Sequence, residues 1–357
     1  MSTNTTTAAV TIDQLKELQK AIRDQFITLY KNDTDAIRNI SSSTKIKDST
    51  PCLELVKLSQ LIKAHTTKIG IILKPETFTK ENYNATYKEL KSFIDYVFFY
   101  FSLLPLFYKN EEYPEFMLKK LDNATLELLN GMDVLCDELD KKFEQHDLDQ
   151  DRLLCIGMIW TSCDTLEDIG QKGKFGLLAD SIRESSGLVE DVLIEINEFL
   201  EEPSLGNGFM LDDGFNSDED DEVEEQEPKI LEDDKETLEK LTTFLEVWKT
   251  KLKMIKLLLS SFTSTISSSN YKSTNKKGSI LDELHSQHLI IIKNIDELIG
   301  DVFMSDSSFD PKDFDEQIES VNDSMVKIVA VMKKLNDEDV KKSKWINVWE
   351  TKYFEKK

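Results

Sequence analysis

The stretch LEKLTTFLEVWKTKLKMIKLLLSSF, Leu238 to Phe262, decides what kind of fold this chain adopts. Leu238, Leu241, Leu245, Trp248, Leu252, Ile255, Leu259 and Phe262 follow one another at steps of three and four. That period places them on one side of an α-helix, with lysines, glutamates and threonines on the other. A strand would need strict alternation, which is absent here. The same spacing recurs at Leu281, Leu284, His288, Ile291, Ile295, Leu298 and Val302, and again from Phe314 through Ile318, Val321, Met325, Ile328 and Met332 to Leu335. A short last segment carries Trp345, Val348, Trp349 and Tyr353.

Toward the N-terminus the pattern continues. A first helix carries Ile12, Leu15, Leu18, Ile22, Phe26 and Leu29. A second opens at Thr50-Pro51, a capping residue followed by a proline suited to the first helical position. It runs through Leu55, Leu58, Ile62, His65, Ile69 and Ile72. Further stripes run from Tyr83 to Leu104, Leu118 to Leu139 and Leu178 to Phe199, with a shorter segment holding Leu154, Met158 and Trp160. The expected fold is all-α, antiparallel helical bundles of roughly nine to ten helices. The expected organisation is a flexible tail at 1–10, an N-terminal bundle at 11–203, a disordered acidic linker at 204–234 and a C-terminal helical region at 235–357.

Composition narrows the function classes. The net charge is −24. Half of it lies between Asp212 and Asp234, where thirteen acidic residues face one lysine. Such a segment cannot bury enough surface to offset its ordering entropy, so it reads first as a tether and second as a docking site for a basic partner. Ser217, followed by Asp218, Glu219 and Asp220, is a candidate phosphosite for an acid-directed kinase. A chain this acidic, with no compact basic stripe, repels phosphate backbones, so direct nucleic-acid binding is not expected. The four cysteines form no regular framework, and the first residues lack the basic and apolar regions of a secretion signal. Both point to a reducing intracellular compartment. The run VFFYFSLLPLFY, Val97 to Tyr108, is 12 residues long. A bilayer span needs roughly 20, so the run reads as the centre of a buried helix and no membrane partner is expected.

Few residues suggest chemistry. His65 and His288 fall on apolar stripes, where a hydrogen-bonded core histidine is the favoured role. His285 and His288 stand three apart, but nothing supplies the second pair of ligands a zinc site requires. Asp147, Asp149 and Asp151 open like a calcium loop, yet Arg152 stands where the glycine belongs and Met158 where the glutamate belongs. No phosphate-binding loop, dinucleotide fingerprint or nucleophile elbow is present, so no metal, cofactor or catalytic residue is expected.

Several segments together resemble a known family. FFYFSLLP (Phe98 to Pro105), LKKLDNATLELLNGM (Leu118 to Met132), IGMIWTSCDTL (Ile156 to Leu166) and LEVWKTKLKMIKLLL come in the order found in the cyclin-D-interacting, or GCIP-like, family. So does the helix from Leu178 to Glu202, leading into an acidic mid-chain stretch. The resemblance implies a non-enzymatic helical protein of cytoplasm and nucleus. It would bind D-type cyclins or helix-loop-helix transcription factors and restrain cell-cycle progression. Its apolar motifs are expected to be core. The rival expectation is a helical-bundle scaffold or cytoskeletal adaptor. The candidate partner-binding residues are Leu238, Leu241, Leu245, Trp248 and Leu252, on a stripe that either lends itself to a partner helix or stays in its own bundle.

Overall fold

The computed structural model describes residues 9–144, 152–205, 232–267 and 278–355. The acidic run from Asp212 through Ser217 to Leu231, the triplet Asp147, Asp149 and Asp151, and most of the Ser-rich stretch after Ser267 lie outside the described residues. In chain order the helices are α1 (Ile12–Ile22), α2 (Thr28–Tyr30), α3 (Thr34–Arg38), α4 (Pro51–Ile72), α5 (Tyr83–Leu103), α6 (Pro105–Tyr108), α7 (Glu115–Phe143) and α8 (Arg152–Glu201). They continue with α9 (Glu232–Ser267), α10 (Gly278–Ser305), α11 (Asp315–Leu335) and α12 (Val340–Phe354). The described residues contain no strand, and the fold is all-α, as the three-and-four spacing requires.

The chain divides into two compact units, Met1–Leu177 with Lys277–Ser279, and Leu178–Lys276 with Ile280–Lys357. The sequence places its boundary at the acidic stretch, whereas the units divide inside α8. Just before that point Gly173 has φ 57° and ψ −173°, which interrupts the helix. Only glycine adopts that backbone without strain.

In the N-terminal unit, α1, α4, α5 and α7 pack on one another and on the first half of α8. Thr50 caps α4 by accepting from the Leu53 amide at 3.2 Å, with Pro51 beginning the helix. Tyr100 donates to Thr125 Oγ1 at 2.5 Å, since the Thr125 hydroxyl is itself donated to the Leu121 carbonyl. Arg38 holds Asp122 and Glu115, and Tyr108 donates to the other oxygen of Asp122 at 2.7 Å. Lys80–Tyr108 is long and apolar enough to cross a membrane by length and composition. Of its most apolar window, 56% is buried inside the protein, with Leu90, Phe93, Val97 and Tyr100 in the core.

Three apolar stretches differ from the sequence expectation. Arg23–Ile27 is a π-helical turn, which adds a residue and turns Ile27 inward while leaving Leu29 53% exposed. At the start of α8 the buried apolar positions are Cys155, Ile156, Ile159, Cys163 and Leu166, so the inward face is one step from the Leu154, Met158 and Trp160 set. Trp160, expected in the core, is 37% exposed. Phe98 and Phe99 likewise face outward, because Val97, Tyr100 and Phe101 take the inner face of α5.

The C-terminal unit is a bundle of the second half of α8 with α9, α10, α11 and α12. Polar links tie its members: Ser185 to His288, Lys256 to Glu190, Asn294 to Ser320, and Lys333 to Glu350. Trp349 on α12 donates its indole N–H to the Met254 carbonyl on α9 at 2.9 Å.

Candidate functional site

Helix α9 has more apolar width than one buried face uses. Leu241, Leu245, Trp248 and Leu252 are buried in the core of their own unit, together with Ile255, Leu259 and Phe262. Leu238 is half-buried. Four of the five stripe residues considered for partner contact are thus already covered by the bundle, because a stripe this continuous packs against the neighbouring helices. Trp248 alone also borders open space.

The open face lies one position away. Lys240, Phe244, Val247 and Lys251 form a second ridge at steps of four, three and four, and Val247 is 52% exposed. Opposite stand Pro311 and the start of α11 at Asp315 and Ile318. Together they enclose a groove of about 630 Å³. Its far wall is fixed by local chemistry. Asp310 accepts from the Lys312 amide at 3.0 Å, which starts the tight turn Pro311–Phe314. Phe309 and Phe314 stack with centroids 5.6 Å apart, and Phe244 meets both, at 5.4 and 6.1 Å. This aromatic cluster anchors the groove floor.

Charge is ordered along the groove. Glu236 and Lys240 pair at 2.8 Å. Glu239 and Asp315 also line the groove. At the other end the Lys251 ammonium lies 5.1 Å from the Trp248 ring centroid and 5.5 Å from that of Tyr353. Burial alone pulls the Lys251 pKa down. Tyr353 stacks on Trp349 at 4.9 Å, and its buried hydroxyl has no hydrogen-bond partner among the described residues. Burial pushes that phenol up.

A second depression of about 470 Å³ lies between α8 and α10, bordered by Leu188, Val192, Leu289 and Ile292 and by Asp191, Glu195 and Asp296. Burial, with Asp296 and Glu198 nearby, raises the Glu195 pKa.

His65 and His288 take structural places. His288 is fully buried, with Nδ1 3.0 Å from Ser185 Oγ and Nε2 3.4 Å from Ser181 Oγ. Both ring nitrogens therefore have partners in the neutral form. Its ring centroid is 5.3 Å from that of His285. Burial, aided by His285, pushes the His288 pKa down to about 3. His65 is half-buried, with Nδ1 2.6 Å from Glu89. Among the described residues no group of three or more His, Cys, Asp or Glu could hold a metal ion. The groove offers an apolar floor and ordered charge, which suits binding a side-chain ridge.

Phe244, Val247 and Lys251 were not singled out from the sequence. The signal that could have found them is the apolar pair Phe244 and Val247 flanking a stripe that is already complete without them.

Comparison with known proteins accounts for most of the chain. Residues 54–202 match the N-terminal part, and residues 215–330 the C-terminal part, of the family described as Grap2 and cyclin-D-interacting. An uncharacterized protein of Saccharomyces cerevisiae is 36% identical over 350 residues, covering 96% of each chain. An uncharacterized protein of Schizosaccharomyces pombe is 20% identical over 328 residues, covering 88% of this chain and 89% of its own.

Proposed function

The chain belongs to the Grap2 and cyclin-D-interacting family, and on that premise we propose that it is a non-enzymatic interaction factor that restrains cell-cycle progression. It does so by occupying a D-type cyclin, or a helix-loop-helix protein, and keeping it from its productive complex. Such a role places the chain in cytoplasm and nucleus. The observation that carries the reading is the open groove along α9, where Phe244, Val247 and Ile318 present apolar surface beside a fully packed core. Grooves of this kind receive the apolar face of an amphipathic helix.

A kinase assay tests the sequestration step. Added to a D-type cyclin and its kinase, the chain is expected to lower substrate phosphorylation in proportion to its concentration, and Val247→Asp to lose that effect. Full kinase activity at saturating chain contradicts sequestration.

A further inference from the structure

We propose that the groove takes an amphipathic helix with a carboxylate in its first turn and a basic residue in its last, seated antiparallel to α9. This rests on the docking role proposed above and adds the chemistry of the occupant.

The first support is the state of Lys251. Its neighbours are the Trp248 and Tyr353 rings, and no carboxylate among the described residues pairs with it. The other lysine that lines the groove differs, since Lys240 is held by Glu236, and so does the half-buried Lys256 further along α9, held by Glu190. An ammonium withdrawn from water without an anion is costly, and the two rings offset only part of that cost. Its lowered pKa reports the same strain. A carboxylate brought over Lys251 by a partner relieves it.

The second support is the opposite end. Glu239 and Asp315 line the groove without an ion pair among the described residues, while Lys240 is engaged by Glu236. Glu239 and Lys251 are twelve residues apart on one helix, about 18 Å at 1.5 Å per residue. An occupant long enough to answer both charges needs a basic group about that far from its carboxylate.

These two requirements fix the direction. A helix favours acidic side chains in its first turn and basic ones in its last. Its N-terminus therefore belongs at Lys251 and its C-terminus at Glu239, which makes it antiparallel to α9. Between them, apolar residues at steps of three and four meet Phe244, Val247 and Ile318, the ridge of one helix entering the groove beside another.

The test is selection of a displayed library of helix-forming peptides, about 15 residues long to match the groove, against the full chain. Enriched sequences are expected to carry Glu or Asp in the first turn, Lys or Arg in the last, and an apolar stripe between. A synthetic winner with its two end charges exchanged should bind the native chain about tenfold more weakly, a comparison that needs no protein variant. Against Lys251→Met, Glu→Gln in the peptide should cost nothing. Winners with no charge order, or equal binding of the exchanged peptide, overturn the inference. If that happens while a D-type cyclin still binds, the functional reading stands and only the occupant's chemistry falls. If charge-ordered winners bind and lose to Val247→Asp while no cyclin binds, the groove chemistry stands and the cyclin reading falls.

Discussion

The Lys251 ammonium lies 5.1 Å from the centroid of the Trp248 ring, so two adjacent faces of α9 meet at one side chain. Trp248 belongs to the buried stripe, yet it lines the groove together with Lys251. Stability and recognition are therefore separable on this helix by a shift of one or two positions.

That separation can be measured. Leu245 is fully buried, and Leu245→Ala should cost about 2–5 kcal/mol of stability, from lost transfer energy and the cavity left behind. Val247 is exposed, and Val247→Asp should change stability by no more than about 0.5 kcal/mol. Urea denaturation followed by circular dichroism compares the two; equal losses would mean that Val247 is part of the core.

His288 makes the C-terminal unit sensitive to acid. Its folded pKa of about 3 lies below the ordinary value of 6.5, because burial disfavours the imidazolium. Between those values the unfolded chain binds the extra proton, so the stability from this group is complete above about pH 6.5 and falls as pH drops. The slope is about 1.4 kcal/mol per pH unit, so roughly 2 kcal/mol is lost by about pH 5. Denaturation midpoints recorded across that range should show the fall, and His288→Gln should flatten it. An unchanged slope in the variant would assign the acid sensitivity to other groups.

Asp122 is the hub of the N-terminal unit's polar core. It accepts from Arg38 at 2.6 Å and from the Tyr108 hydroxyl at 2.7 Å, with its side chain almost wholly buried. Asp122→Ala leaves Tyr108 without its acceptor and takes from Arg38 its most buried partner, Glu115 being more exposed. A loss of about 3 kcal/mol is expected, as for other broken buried ion pairs. A shift of a few tenths in the urea experiment would show that Glu115 or water replaces it.

Gly131 marks a close approach of helices inside the same unit. A Cβ there would stand 2.8 Å from Ile159 Cγ1 and 3.1 Å from the Ile159 backbone nitrogen. Backbone cannot move aside as a flexible side chain would, so Gly131→Val should cost about 1–3 kcal/mol through overpacking. Thermal unfolding reads this directly; a variant as stable as the native chain would show that the two helices can separate freely.

Much of this fold was legible in the sequence, for identifiable reasons. The stripes of α7, α9, α10 and α11 predict buried positions well, since long helices repeat the period often enough to fix the inward face. The segment at Leu154 was too short for that, and its face came out one step away. The π turn at Arg23–Ile27 shifts phase by one residue, which no helical period foresees. Gly173 stands between Lys172 and Lys174 with no turn signal around it, and only its positive φ shows that it interrupts α8. The groove was the least legible part. It depends on Pro311 and Ile318 being brought opposite Val247, 64 and 71 residues away in sequence, and no local pattern encodes that meeting.

The most direct measurement is a calorimetric titration of the full chain and of Val247→Asp, side by side, with a D-type cyclin from the same organism. The account predicts micromolar or tighter binding by the native chain, and at least tenfold weaker binding by an equally well folded Val247→Asp. Binding of equal strength by both would place the cyclin contact elsewhere on the protein. No heat from a folded native chain would contradict the cyclin reading itself.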